Sequence, residues 1–231
     1  MNSNGINKMG NRHKLVRGGN FSYLFIGLIL ILLMLPFTGS VAILGRYSIT
    51  LLFSLFMLVS IWSLADSRRI FDFGIFLILS IGCVLSIAAF WGASQALETA
   101  GLVLMLMFCI LSTLIAGRNV FVMHQVDLNS LVGAFCVYLL IGMIWALLYR
   151  LLHLYGLSSF SGNISEQEQA IFPDLVYFSF VTLCSLGYGD ISPVGGLART
   201  LAYLEAVVGQ FYLAVMVASL VGVYSNRRLK D

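Results

Sequence analysis

The sequence predicts an all-α membrane protein. Six transmembrane helices are expected, with a short re-entrant helix and a glycine-rich loop between the fifth and the sixth. Three observations predict this. The 231-residue chain is 60% hydrophobic and only 10% charged, where a soluble domain carries about 25% charged residues. Its mean hydropathy of +0.97 leaves too little polar surface to face water. Six apolar runs, at residues 21–37, 44–64, 72–92, 97–117, 130–152 and 197–224, are long enough to cross a hydrocarbon core, which takes about 17–25 residues. A seventh run, Pro173 to Cys184, is too short to cross and reads as a segment that enters and leaves by one face.

Taken in order, residues 1–20 are polar, rich in Asn and Gly, and basic, a composition that suits a cytoplasmic tail. The first run precedes Ser40-Val41-Ala42 and resembles a signal peptide. It is longer than an h-region of about 7–15 residues, so it is expected to be kept. Residues 21–117 form a four-helix unit. Residues 118–129, "RNVFVMHQVDLN", are more polar and read as a cytoplasmic linker or an interfacial helix. Residues 130–224 form helix, re-entrant loop and helix. Residues 225–231 are a second cytoplasmic tail, and no soluble C-terminal domain is expected after Asn226.

Basic residues orient the spans. With the N-terminus inside, the inner segments hold Lys8, Arg12, Lys14, Arg17, Arg68, Arg69, Arg118, Arg227, Arg228 and Lys230, against Arg46, Arg150 and Arg199 outside. That bias places both termini in the cytoplasm of a multi-pass protein of the cell membrane. Trp62 and Trp91 fall at interfaces, as belt residues do.

Several functions are excluded. Cys83, Cys109, Cys136 and Cys184 lie in apolar runs without motif spacing, so they read as buried small hydrophobes. His13, His124 and His153 are isolated at segment edges. No nucleophile–base pair or metal cluster supports an enzyme, and no cofactor is expected. A net charge of +3 gives no ground for a nucleic-acid partner.

The informative segment is "TLCSLGYGD", Thr182 to Asp190. The short helix before it carries Pro173 near its start, where a missing N–H costs nothing, and Asp174, which suits a helix N-terminus. Its C-terminus points toward the bilayer centre, where its partial negative charge favours a cation. The loop then reads Ser185, Leu186, Gly187, Tyr188, Gly189. Successive carbonyls can face one axis only if the backbone is left-handed at alternate positions, and glycine adopts that conformation most cheaply. Gly187 and Gly189 stand at that alternation.

The stretch "YFSFVTLCSLGYGDISP" resembles the pore loop of potassium channels. Pro193, Arg199 and Gly209 follow at the family's distances. The resemblance covers residues 130–224 and is to bacterial ion channels with one pore loop per subunit, of the six-span type that does not sense voltage. It implies a homotetramer in the lipid bilayer. It also implies a selectivity filter in which Ser185, Leu186, Gly187, Tyr188 and Gly189 bind K+. Tyr177, Thr182, Asp190 and Glu205 would support that filter. Gly209 would be the hinge of the inner helix.

The chain departs from the pattern at two places. Ser185 stands where the family carries threonine. Serine keeps the hydroxyl but lacks the methyl that stiffens χ1. Val181 stands where some potassium channels place a bracing carboxylate, and a Tyr177–Asp190 hydrogen bond is expected to replace part of that brace. Glu205 is costly in a membrane, on the order of 2.5–3.5 kcal/mol at its centre. Helix phase turns it behind the filter, as a structural brace that is protonated; a direct place in the ion pathway is the other reading. Gln210, Leu213, Ala214, Val217 and Val221 share one face of the last helix and would line a cavity that gates by dewetting.

Voltage sensing through the fourth span is not expected. A sensor carries about 3–4 gating charges per subunit, and residues 97–117 hold no Lys or Arg. Glu166, Glu168 and Asp174 would concentrate cations at the mouth. The sequence therefore supports a potassium-selective channel of the bacterial inner membrane. Two rivals stay open: a weakly selective or non-selective monovalent cation channel, and a transporter or scaffold subunit with a vestigial loop.

Overall fold

A computed structural model describes residues 21–37, 56–57, 60, 95–122, 128–157, 159–165 and 171–228. The second and third predicted spans, apart from Phe56, Met57 and Ser60, lie outside the described residues. So do the N-terminal tail, Trp62, Trp91, Glu166 and Glu168.

Five helices are described. They are α1 (Phe21–Met34), α2 (Gln95–Val122), α3 (Leu128–Leu154), α4 (Ile171–Leu183) and α5 (Gly196–Arg228). Two short strands flank α4: β1 (Ser159–Gly162) and β2 (Ile191–Val194). Among the described residues, three helical stretches are long and apolar enough to cross a membrane: Gln95–Val120, Asn129–Leu154 and Gly196–Ser219. The first predicted span coincides with an apolar helical stretch, Phe21–Phe37, which passes from α-helix to a 3-10 turn at Leu35–Phe37, where Pro36 lacks an N–H and its ring opposes a continuing α-helix.

Helix runs past two of the expected boundaries. The linker expected at 118–129 begins as helix, because α2 runs on to Val122. Packing explains it. A Cβ on Gly133 would meet Val120 Cγ2 at 2.7 Å and Phe21 Cδ2 at 2.9 Å, so α1, α2 and α3 close on one another there. The tail expected from 225 also begins as helix, since α5 continues to Arg228.

Phe21, Leu24, Leu28 and Ile31 form the buried stripe of α1, at the 3–4 spacing of one helix face. They share a core with Met105, Phe108 and Cys109 of α2 and with Cys136, Leu140, Met143 and Leu147 of α3. Near the Leu154 end of α3 the contacts turn polar. Arg150 Nη2 lies 2.5 Å from Glu98 Oε1, with the Arg150 side chain buried. Gln95 Nε2 donates to the Leu154 carbonyl at 3.1 Å, one of the terminal carbonyls that the helix itself leaves unsatisfied.

Helix α4 starts at Ile171, two residues earlier than expected. Pro173 still falls in the first turn, where N–H groups have no intrahelical acceptor. Tyr149 of α3, Phe160 of β1 and Phe178 of α4 meet edge to face, with ring centroids 5.1–5.6 Å apart. This cluster seats α4 against α3 and the small sheet.

That sheet corrects the all-α expectation. Strands β1 and β2 pair antiparallel, Ser159 opposite Val194 and Gly162 opposite Ile191. Gly162 has φ +106°, and a Cβ there would lie 1.9 Å from the Asp190 carbonyl oxygen. Only glycine admits this approach, which also lets Asn163 N donate to that carbonyl at 2.8 Å. Gly162→Ala is expected to lose about 1–3 kcal/mol of stability, the scale of one forced backbone conformation. Thermal unfolding of the purified protein in detergent measures this, and an unchanged melting temperature would contradict it.

Candidate functional site

The site begins where α4 stops. Leu186 N donates to Val181 O at 2.9 Å, and Ser185 N donates to Thr182 O at 2.8 Å. This is the six-to-one and five-to-two pair of a Schellman cap. Its C′ residue must be left-handed, and Ser185 has φ 57°. Thr182 thus supports the loop through its carbonyl. Gly187 follows at φ 55° and Gly189 at φ 78°, so every second residue from 185 to 189 is left-handed. Ser185 is the one non-glycine with positive φ among the described residues, at a position where a Cβ costs roughly 1–2 kcal/mol.

The loop stands open. Cys184 to Asp190 are all exposed in the single chain, with Leu186 57% and Tyr188 68% exposed. Among the described residues, no donor reaches the carbonyls of Ser185, Leu186, Gly187 or Tyr188. Cys184 was expected to be buried. It lies instead at the helix end, where its Sγ is 3.3 Å from Tyr138 Oη.

Both ends of the loop are tied down. Tyr177 Oη donates to Asp190 Oδ2 at 2.7 Å. Ser192 Oγ donates to Gly189 O at 3.3 Å, and Arg199 Nε donates to Pro193 O at 3.3 Å. At the start of α4, Asp174 Oδ2 accepts from Ser165 N at 2.7 Å. At its other end Tyr138 Oη donates to Leu183 O at 3.3 Å.

Glu205 of α5 is fully buried. Tyr149 Oη donates to its Oε2 at 2.7 Å, and Ser179 Oγ lies 2.5 Å from its Oε1. The same Ser179 Oγ lies 2.8 Å from the Gly142 carbonyl oxygen. Glu205 therefore joins α3, α4 and α5. Tyr149 and Ser179 were missed by sequence reasoning. The available signal was a tyrosine and a serine inside apolar runs, each in need of a partner.

Gly209 was expected as a hinge. Helix α5 passes through it without interruption. A Cβ there would lie 2.2 Å from the Leu183 carbonyl oxygen, so its visible task is to let α5 touch the end of α4. One residue on, Gln210 Nε2 donates to Ser185 Oγ at 2.9 Å. Tyr212 Oη donates to Ala134 O at 2.7 Å. Of the expected cavity face, Gln210, Ala214, Val217 and Val221 are exposed in the single chain and Leu213 is half-buried. Helix α2 carries one basic residue, Arg118, near its C-terminal end. Among the described residues, no cluster of three metal-ligating side chains occurs. Gly209→Ala is expected to push α5 off Leu183 and lower the melting temperature of the purified protein in detergent. An unchanged melting temperature would show that the close approach is not needed.

A family model described as "Ion channel" matches residues 133–226, which run from early α3 almost to the end of α5. Protein LctB of Bacillus caldotenax is 33% identical over 107 residues, covering 45% of this chain and 79% of that protein. The inward rectifier potassium channel Kirbac3.1 of Paramagnetospirillum magnetotacticum is 42% identical over 55 residues, 23% of this chain and 19% of that one. Two-pore potassium channel 2 of Arabidopsis thaliana is 27% identical over 93 residues, 40% of this chain and 18% of that one. The chain thus spans less than a fifth of either potassium channel's length. No solved structure matches. The chain belongs with the LctB proteins, and its residues 133–226, with apolar helices of spanning length on both sides of the loop, match the ion channel model.

Proposed function

We propose that this chain conducts K+ passively and selectively as a homotetramer, through four copies of Ser185–Gly189. Left-handed backbone at residues 185, 187 and 189 carries the reading. That alternation is what lets successive carbonyls replace the hydration shell of an ion on one axis. The unengaged carbonyls of Ser185 to Tyr188 suit the same task. One chain supplies a single loop, so a closed ring needs further copies, and fourfold symmetry gives the carbonyl rings. The exposed apolar side chains of α5, such as Val207, Phe211 and Val215, suit burial between copies and against lipid.

The remaining parts take roles around that axis. Six spans place both termini in the cytoplasm of a bacterial inner membrane. Ser185 hydroxyls form the innermost ion ring. Gln210, Leu213, Ala214, Val217 and Val221 line the cavity, and its apolar part gates by dewetting. Gly209 serves as hinge as well as contact. Asp174, with Glu166 and Glu168, draws cations to the mouth. Voltage does not act through α2, whose single arginine is far from a set of about 3–4 gating charges.

Glu205 is a neutral strut in this reading. Ser179 has one hydroxyl proton but faces two acceptors, Gly142 O and Glu205 Oε1. A proton on Glu205 resolves the conflict: the carboxyl donates to Ser179 Oγ, which donates to Gly142 O. Tyr149 then donates to Oε2. Glu205→Gln can repeat this pattern with its amide, and is expected to keep both conductance and melting temperature. Glu205→Ala leaves Tyr149 and Ser179 short of a partner and is expected to cost about 1–3 kcal/mol. Conduction lost in Glu205→Gln at unchanged stability would show that a charge is needed and would sink the strut reading.

The conduction reading is tested with purified protein in planar bilayers under K+/Na+ bi-ionic conditions. Unitary currents are expected, with each tenfold preference for K+ displacing the reversal potential by about 59 mV. Reversal near zero leaves the weakly selective cation channel instead. No unitary current leaves the transporter or scaffold.

A further inference from the structure

Ser185 presents a physical difficulty. It occupies a left-handed helix cap that favours glycine, and it lacks the methyl group that would fix its side chain. A bare CH2OH at that position has three staggered choices. The carbonyl–hydroxyl geometry at the innermost ion ring is then underdetermined. Yet the hydroxyl is not left to rotate. Its oxygen accepts from Gln210 Nε2 at 2.9 Å.

Three features make that bond possible. Gly209 brings α5 against the Leu183 carbonyl, two residues before Ser185. Gln210 is the next residue on α5, and it and Ser185 are both exposed in the single chain. The amide is long enough to bridge the gap, and its N–H donates to one lone pair of the hydroxyl oxygen while a second lone pair stays available to an ion. The restraint that a methyl group would supply sterically is supplied here by a hydrogen bond from another helix.

We infer that Gln210 is a selectivity-determining residue, which holds the Ser185 hydroxyl in its ion-binding orientation. The inference rests on the potassium-selective reading above. It assigns Gln210 a role beyond lining a cavity, and it makes the innermost ion site depend on where α5 sits.

The test is a double-mutant cycle on the full-length protein in planar bilayers, read as the K+/Na+ permeability ratio. Gln210→Leu keeps bulk and loses the donor. Its ratio is expected to fall about fivefold, the factor carried by one ordinary hydrogen bond. Adding Ser185→Thr restores the methyl, and the double variant is expected to regain most of the lost ratio. A selective wild type whose Gln210→Leu variant reverses at the same potential overturns the inference alone. So does a double variant that falls as far as Gln210→Leu. A wild type that reverses near zero overturns the potassium-selective reading and this inference with it. If Gln210→Leu passes no current, Gln210→Met, of similar length and without an amide, is read in its place. Silence in both variants, in protein that purifies as the wild-type oligomer, also overturns the inference, because the bond would then govern opening and not selectivity.

Discussion

The contact of Gly209 with the Leu183 carbonyl sets the geometry of everything around the loop. A Cβ at 209 would sit 2.2 Å from that oxygen, well inside van der Waals contact, so any side chain forces α5 away from α4. The polar contacts of α5 are arranged on either side of this point. Glu205, one turn earlier, reaches Tyr149 and Ser179. Gln210 reaches Ser185, and Tyr212 reaches Ala134. Hydrogen bonds weaken steeply beyond their normal range. A shift of α5 by the width of a methyl group would loosen all of them together. The glycine's value is in what its absence of side chain permits its neighbours to do.

The loop itself begins as an ordinary helix ending. Val181 and Thr182 carbonyls are capped by Leu186 and Ser185 amides, and the cap demands one left-handed residue. Glycine would fill it at least cost. Serine fills it instead, against local preference, and two glycines continue the alternation at 187 and 189. A residue that breaks a local rule signals a competing demand. Here the demand is an oxygen, since Ser185 Oγ is the side-chain atom that α5 comes to meet. The same atom is the innermost oxygen of the proposed filter, so helix capping and ion binding converge on one residue.

How much of this was legible depends on range along the chain. The glycine alternation and the sub-length apolar helix could be read, because each lies within about a dozen residues of sequence, and the Tyr177–Asp190 pair was implied by the resemblance to potassium channel pore loops. Strands β1 and β2 could not. Each is four residues long, and "SFSG" and "ISPV" lack the alternation that marks a half-buried strand. Their pairing follows from tertiary closure at Gly162. The partners of Glu205 were equally hidden, since Tyr149 is 56 residues away and a lone tyrosine in an apolar run suits either lipid or a bond. The extension of α2 to Val122 came from packing at Gly133, where tertiary contact overrode a more polar composition.

Tyr149 and Arg150 are adjacent on α3 and serve different neighbours. Tyr149 bonds Glu205 of α5, while Arg150 pairs with Glu98 of α2. Arg150 is buried and Glu98 is part-exposed, so the pair lies at the rim of the α2–α3 contact. Close by, Thr99 Oγ1 lies 3.1 Å from Tyr155 Oη. A displacement of α2 that kept Glu98 paired would carry Arg150 with it, and the adjacent Tyr149 bears on Glu205 and, through it, on Ser179 of α4. Among the described residues, helix α2 is thus linked to the helix that presents the loop only at second hand, through α3 and the Tyr149–Glu205–Ser179 bonds.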